Sequence, residues 1–139
     1  MREMIRVALT TVVVSGAVAT ASPAHATPGH GVTTREVWHW TVDDTAYTLR
    51  EITIGPGGAT GWHHHPGLVF ATIRSGTLTH VLADCEINRY RTGDSLMEDP
   101  DDPRSHTGEN RGSTPLVMDV VYATPAGKPL STDAPAADC

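Results

Sequence analysis

Beyond its first 26 residues this 139-residue chain keeps no helical apolar period; it is a succession of short alternating or β-branched runs. The runs are REVWHWTV, AYTLREITI, LVFATIR, GTLTHVLA, EINRYR, DSLME and PLVMDVVYA. Between them fall GPGGATG, HHPG, RSG, ADC, RTGD, EDPDDPRS and ENRGSTP, clusters whose Gly, Pro, Asp and Asn favour turns. Many short strands with regularly spaced turns predict an all-β domain, either two packed sheets or a barrel.

The first residues, MREMIR, are basic and lead into the apolar run VALTTVVVSGAVAT, which closes on the small-residue sequence SPAHA. That pattern predicts a secretory signal peptide over residues 1–26 with cleavage after Ala26, and hence a secreted, extracytoplasmic protein. The run is shorter than the roughly 20 apolar residues a membrane span needs, and Thr, Ser and Gly dilute it. Of the chain's 10 basic and 16 acidic side chains, the leader holds Arg2, Arg6 and Glu3, so the mature chain carries eight against fifteen. An acidic surface argues against nucleic acid and anionic membranes as partners. The mature length suits one domain with a single core.

Cys85 and Cys139 are the two cysteines. In an oxidising compartment they are expected to pair, with free thiols or an intermolecular bridge as the alternatives. A zinc site built on these two alone lacks the four ligands a structural zinc takes. A bridge would pin the aperiodic tail, ATPAGKPLSTDAPAADC, against the domain.

The segment GPGGATGWHHHPGLVFATIRSG carries the chemistry. Along a strand successive side chains alternate in face, so His63 and His65 share one side and His64 takes the other. Two imidazoles on one face form a metal-ligand pair, and a neighbouring strand can bring His106 beside them. His30, His39 and His80 read as hydrogen-bonded or exposed side chains. Phe70, Ile73, Leu96 and Met118 lie on runs expected to face the interior. With Trp62 and Val69 beside the histidines, Phe70 and Met118 are candidate pocket walls. Trp38 and Trp40 share a face of the first run, as core residues or as the contact of a homodimer.

Gly57, His63-His64-His65 and Gly76 resemble the first motif of the cupins, and Gly93 with His106-x-x-x-Asn110 resembles the second. More narrowly, GWHHHPG, SGTLT, HTGEN and the terminal cysteine are similar to a group of exported actinobacterial cupins. The resemblance implies a double-stranded β-helix, the cupin jelly-roll barrel, over residues 35–123, preceded by a short segment 27–34 and followed by an extended tail 124–139. It also implies one divalent transition metal ion (Zn, Mn, Fe, Cu or Ni) at one mouth of the barrel, and an orienting role for Asn110. The chain departs from the family pattern twice. The position that usually supplies a glutamate ligand is Val69, and the loop before His106 is longer. Val69→Glu is therefore expected to tighten metal binding. Glu98, which ends a run just before the acidic loop, is the carboxylate best placed to replace the missing ligand or to serve as a base; Asp99, Asp101 and Asp102 read as solvated.

Three neutral imidazoles leave a divalent ion its full charge and at least one open position, the pattern of catalytic rather than closed sites. Imidazole does not select sharply among these metals. Two functional classes follow: a secreted metalloenzyme of oxygenase or isomerase type acting on a small organic molecule, or a non-catalytic module that binds metal or a small ligand. A metal-free structural barrel is the third reading.

Overall fold

The computed structural model describes residues 27–139; the expected signal peptide lies outside the described residues. Ten strands account for all regular structure there: β1 (His30–Val42), β2 (Thr45–Ala59), β3 (His63–His64), β4 (Leu68–Ser75), β5 (Thr77–Leu82), β6 (Ile87–Arg91), β7 (Ser95–Glu98), β8 (His106–Glu109), β9 (Leu116–Pro125) and β10 (Thr132–Asp133). All pairings are antiparallel. The order is β10-β3-β8-β2-β9-β4-β7, with β1 added to β2, β5 to β8 and β6 to β5.

Seven of the ten strands coincide with runs legible in the sequence. The others are two- to four-residue pieces at the histidine motifs and in the tail, too short to show a period. The largest departure is the glycine cluster GPGGA, which belongs to β2 rather than to a turn. β2 pairs with β9 through Ile54 and with β8 only at Ala59. The pairing with β1 slips between His30 and Val32, and Gly57 sits there at φ 74°. A left-handed glycine in a bulge bends the strand, so β2 leaves β9 after Ile54 and reaches β8 at Ala59. The first strand also begins earlier than the sequence suggests, at His30, because the bulged end of β2 gives it a partner at Ala59.

The core is built by period-two alternation. Ile52 and Ile54 of β2, Val69, Ala71 and Ile73 of β4, Leu96 of β7, and Leu116, Met118, Val120 and Tyr122 of β9 all point inward. The expectation for Phe70 is corrected here: it is 47% exposed. Residues 70 and 73 have opposite parity on one strand, so burying Ile73 and Val69 turns Phe70 to the outer face. Trp62 is buried, but in a second cluster with Val81 and Ala134 beneath the tail. That tail is held by β10 on β3 and by a disulfide between Cys85 and Cys139, whose Cα atoms are 5.5 Å apart. Asn110 orients its turn: its amide nitrogen donates to the Ile54 and Thr114 carbonyls, and its oxygen accepts from the Gly112 amide.

Candidate metal centre

His63 and His106 are direct partners across β3 and β8, which sets their rings 4.5 Å apart. His65, one residue past β3, returns to the same side, with its ring 4.8 Å from His63 and 5.2 Å from His106. One ligand atom from each of these three residues lies within 4.8 Å of the others. His64 is exposed, as the pleat requires.

Backbone carbonyls orient two of the rings. His63 Nδ1 donates to the Gly61 carbonyl at 2.9 Å, and His65 Nδ1 donates to the Leu130 carbonyl at 2.7 Å. A carbonyl only accepts, so Nδ1 carries the proton and Nε2 is free to face the site, the arrangement that fixes imidazole ligands around metals. Gly61 can present its carbonyl because it adopts φ 79° and packs against Thr27 and Gly29, where a Cβ would collide with backbone. The second carbonyl comes from the disulfide-anchored tail, which thereby becomes part of the site.

Two further residues enter the cluster. Glu98 Oε2 is 3.1 Å from His65 Nε2, while Oε1 is 3.2 Å from His80 Nε2 and 3.3 Å from His106 Nε2. His80, Glu98 and His106 form a second ligand-competent triad that shares His106 with the first. Of the two alternatives for His80, hydrogen-bonded or exposed, the structure excludes the second: it is 6% exposed and points inward with Leu78 and Leu82. The alternation Leu78-x-His80-x-Leu82 carried that signal.

Glu98 stands opposite Val69, the position where the cupin resemblance implies a glutamate. Val69 and Glu98 are directly opposed across β4 and β7, and both line the inner cavity with His63, His65, His80 and His106. Met118 lines the same cavity, whereas Trp62 and Phe70 do not. In the acidic loop, Asp99 and Asp101 are exposed, and Asp102 is held to about 2 by its hydrogen bonds with Arg104.

The donor set fits a metal ion. Nε2 of both His80 and His106 is buried without a hydrogen-bond partner, because the nearby Glu98 oxygen is close in distance but off-axis. Ligands at 2.0–2.1 Å around a shared ion stand roughly 2.9–3.4 Å apart, which matches the spacings to Glu98. Burial depresses His106 to about 3 and lowers His63, even though Glu98 pulls both upward, so both are neutral and able to coordinate at neutral pH. Burial of Glu98 favours its neutral form, but the close imidazoles of His65, His80 and His106 outweigh that and hold the carboxyl below its ordinary range. Tyr122, whose ring is 5.6 Å from His65, is pushed up to about 12 by burial. With Glu98 in place, a divalent ion would lose half its charge to the protein, which weakens the preference for an anionic fourth ligand expected from three histidines alone.

A double-stranded β-helix with clustered histidines from facing hairpins defines a cupin-type metal-binding barrel. Residues 50–122 match the cupin-domain family Cupin_2, and the chain belongs to the cupin family. No curated protein matches its sequence. Among solved structures, it is similar to the polyketide cyclase RemF from Streptomyces resistomycificus, at 17% identity and a TM-score of 0.62, with 93% of this chain and 89% of that one covered. It also resembles a conserved double-stranded β-helix protein from Klebsiella pneumoniae, at 19% identity and a TM-score of 0.60, with coverage of 77% and 87%. KdgF from Halomonas sp. aligns at 18% identity and a TM-score of 0.54, covering 69% and 82%. Likeness at these identities shows the fold.

Proposed function

We propose that this cupin holds one divalent transition metal ion on His63, His65 and His106, with Glu98 as a fourth ligand and His80 positioning that carboxylate, and that it acts on a small organic molecule outside the cytoplasm. The observation that carries the reading is the convergence of buried imidazole Nε2 atoms, two of them without partners, on one carboxylate. Leaving such groups unpaired costs about 1–3 kcal/mol each, a penalty an ion removes. When bound, the ion would supply Lewis acidity beside the inner cavity that these residues line. The disulfide and the leader-like N-terminus support the extracytoplasmic placement.

The second reading, a non-catalytic binding module, is favoured by one observation. Among the described residues, the one titratable side chain lining the inner cavity apart from the five clustered residues is Tyr122, and a phenol raised to about 12 is a poor proton carrier at neutral pH.

We also propose a homodimer. Trp38, Leu49, Val121, Phe70 and Met97 form one row across five strands, and Trp40, Tyr47, Ala123 and Leu68 form the next. Trp40 is 67% and Met97 66% exposed. Trp38, Leu68 and Phe70 are exposed as well, so the rows make a contiguous apolar patch of the kind that marks a protein contact. The charges beside it, Arg35, Arg74, Glu51 and Asp119, are mixed in sign, which suits a self-complementary two-fold contact better than a partner of one charge.

Metal analysis of secreted protein purified without a tag or added metal tests the main reading. About one equivalent of transition metal is expected. His63→Ala, His65→Ala and His106→Ala should each lose most of it, and His64→Ala should not. Metal retained by His65→Ala but lost from His64→Ala would overturn the assignment.

A further inference from the structure

Arg50 occupies a position that strand parity assigns to the barrel interior. On β2 the inward series is Thr48, Arg50, Ile52 and Ile54, and the other three are buried. Arg50 itself is half-buried, its side chain 35% exposed, so part of the guanidinium reaches solvent while the rest meets the barrel wall. Yet Arg50 Nε is buried with no acceptor among the described residues. Its single ion pair is loose: Nη2 stands 3.6 Å from Glu36 Oε2, and the Glu36 side chain is 51% exposed. A guanidinium offers five N–H donors in a planar fork, and one loose ion pair leaves Arg50 with donors that have no acceptor among the described residues.

That residue lines a cavity of about 310 Å³ on the β1 side of the barrel, distinct from the acidic mouth beside Arg104. The same cavity is lined by His63 and His65, by the Tyr122 side chain, and by Thr34 and Ser131, which add hydroxyls. The positive charge of Arg50 reaches Tyr122, where it opposes the upward push of burial on the phenol. A cation with unused donors, a phenol and two hydroxyls thus share one cavity with two of the clustered imidazoles.

We propose that Arg50 is the anchor of a carboxylate-binding subsite in this cavity, and that the molecule taken up at the His63–His65 side of the barrel is a small organic acid. A monocarboxylate suits the site better than a phosphate. Glu36 and Asp133 also border Arg50 or the cavity, so a doubly charged oxyanion would meet two carboxylates with one guanidinium to balance it. The inference goes beyond the metal reading and does not depend on it, because the anchor is a protein side chain.

The test is a titration of the ¹⁵N-labelled mature chain with acetate, followed at the Arg50 Nε–Hε resonance, with acetamide as the neutral isostere and inorganic phosphate as the competing oxyanion. Acetate should shift that resonance saturably, acetamide should leave it in place, and phosphate should bind more weakly than acetate. Glu36→Gln, which removes the competing carboxylate, should tighten acetate binding. Arg50→Gln should weaken it by about tenfold or more, the loss of a charged hydrogen bond. Should Arg50→Gln fail to fold, the wild-type and Glu36→Gln titrations still decide. No saturable shift, an equal response to acetamide, or tighter binding of phosphate would overturn the proposal. Since the titration requires no metal, its failure is separable from a failure to bind metal.

Discussion

Stripped of metal, the barrel should lose stability steeply between pH 6.5 and 5. The cause is proton linkage at the buried imidazoles. His106 is depressed from 6.5 to about 3, and His63 is lowered as well, both chiefly by burial. As pH falls below 6.5 the unfolded chain takes up protons that the native site refuses, so the stability these groups leave intact above 6.5 is progressively lost. Each such histidine costs about 1.4 kcal/mol per pH unit while the two states differ by a full proton. His106 alone removes roughly 1.6 kcal/mol between pH 6.5 and 5, the unfolded imidazole being half-protonated at the start of that window, and His63 adds to the loss, against the 5–15 kcal/mol typical of a domain. Glu98 acts with the same sign below its ordinary 4.5, because the unfolded chain protonates there first and the native carboxyl resists. Denaturant unfolding of chelator-treated protein at several pH values measures the slope directly. His106→Asn should reduce that slope by about 1.4 kcal/mol per pH unit, whatever it does to stability at pH 7.5. A free energy that stays flat from pH 7 to 5 in metal-free protein would refute the reasoning, as would an unchanged slope in His106→Asn. The metal-loaded protein should hold its stability to lower pH and then fail abruptly as protons displace the ion.

Cutting the disulfide should affect both stability and the site. The bridge spans 54 residues of sequence, for which chain entropy gives up to about 4 kcal/mol, so Cys139→Ser should lower the denaturation midpoint. The same variant should weaken metal binding, since the freed tail carries the carbonyl that orients His65; unchanged affinity would show that His65 needs no such support. If the outer face pairs two copies, light scattering should find a dimer that Trp40→Glu converts to a monomer, and a wild-type monomer at high concentration would dismiss that interface.

Local alternation made much of this molecule legible. The His63-x-His65 pair, the idle His64 and the inward faces of β4 and β9 follow from period two, and the turn clusters place most strand ends. The missing parts come from elsewhere in space. Nothing near Glu98 in sequence marks it as a neighbour of His65, because the two meet only when β7 pairs with β4. The parity of His80 and Arg50 was visible, but a polar residue on an inward face reads as an exception until its surroundings are known. The GPGGA segment looked like a turn because glycine serves both turns and bulges, and only the partners of β2 distinguish them.

The exchange of Val69 and Glu98 is the sharpest test of how this site is built. Val69→Glu alone was expected to restore a missing ligand, but that position already faces a carboxylate. Directly opposed residues on antiparallel strands have Cβ atoms about 5 Å apart, so the variant would bury two carboxyls side by side. They cannot both ionise cheaply, so one should be driven upward in pKa, and the substitution should destabilise the metal-free protein by about 1–3 kcal/mol. Glu98→Val has the opposite defect: it leaves the Nε2 atoms of His65, His80 and His106 facing an apolar group, and should reduce metal affinity roughly 10- to 100-fold, the range seen when groups that orient or complete a site are lost. Combining them returns one carboxylate to one cavity, a single position across the strand pair. If carboxylate number rather than strand of origin matters, Val69→Glu/Glu98→Val should recover most of the affinity lost by Glu98→Val and most of the stability lost by Val69→Glu. Thermal unfolding of metal-free protein and competition with a chromogenic chelator give the two halves of this cycle, and the coupling free energy should be large because the residues touch one site. A double variant no better than Glu98→Val would mean that only β7 can present the carboxylate, while a Val69→Glu protein more stable than wild type would mean that Val69 and Glu98 do not share the cavity.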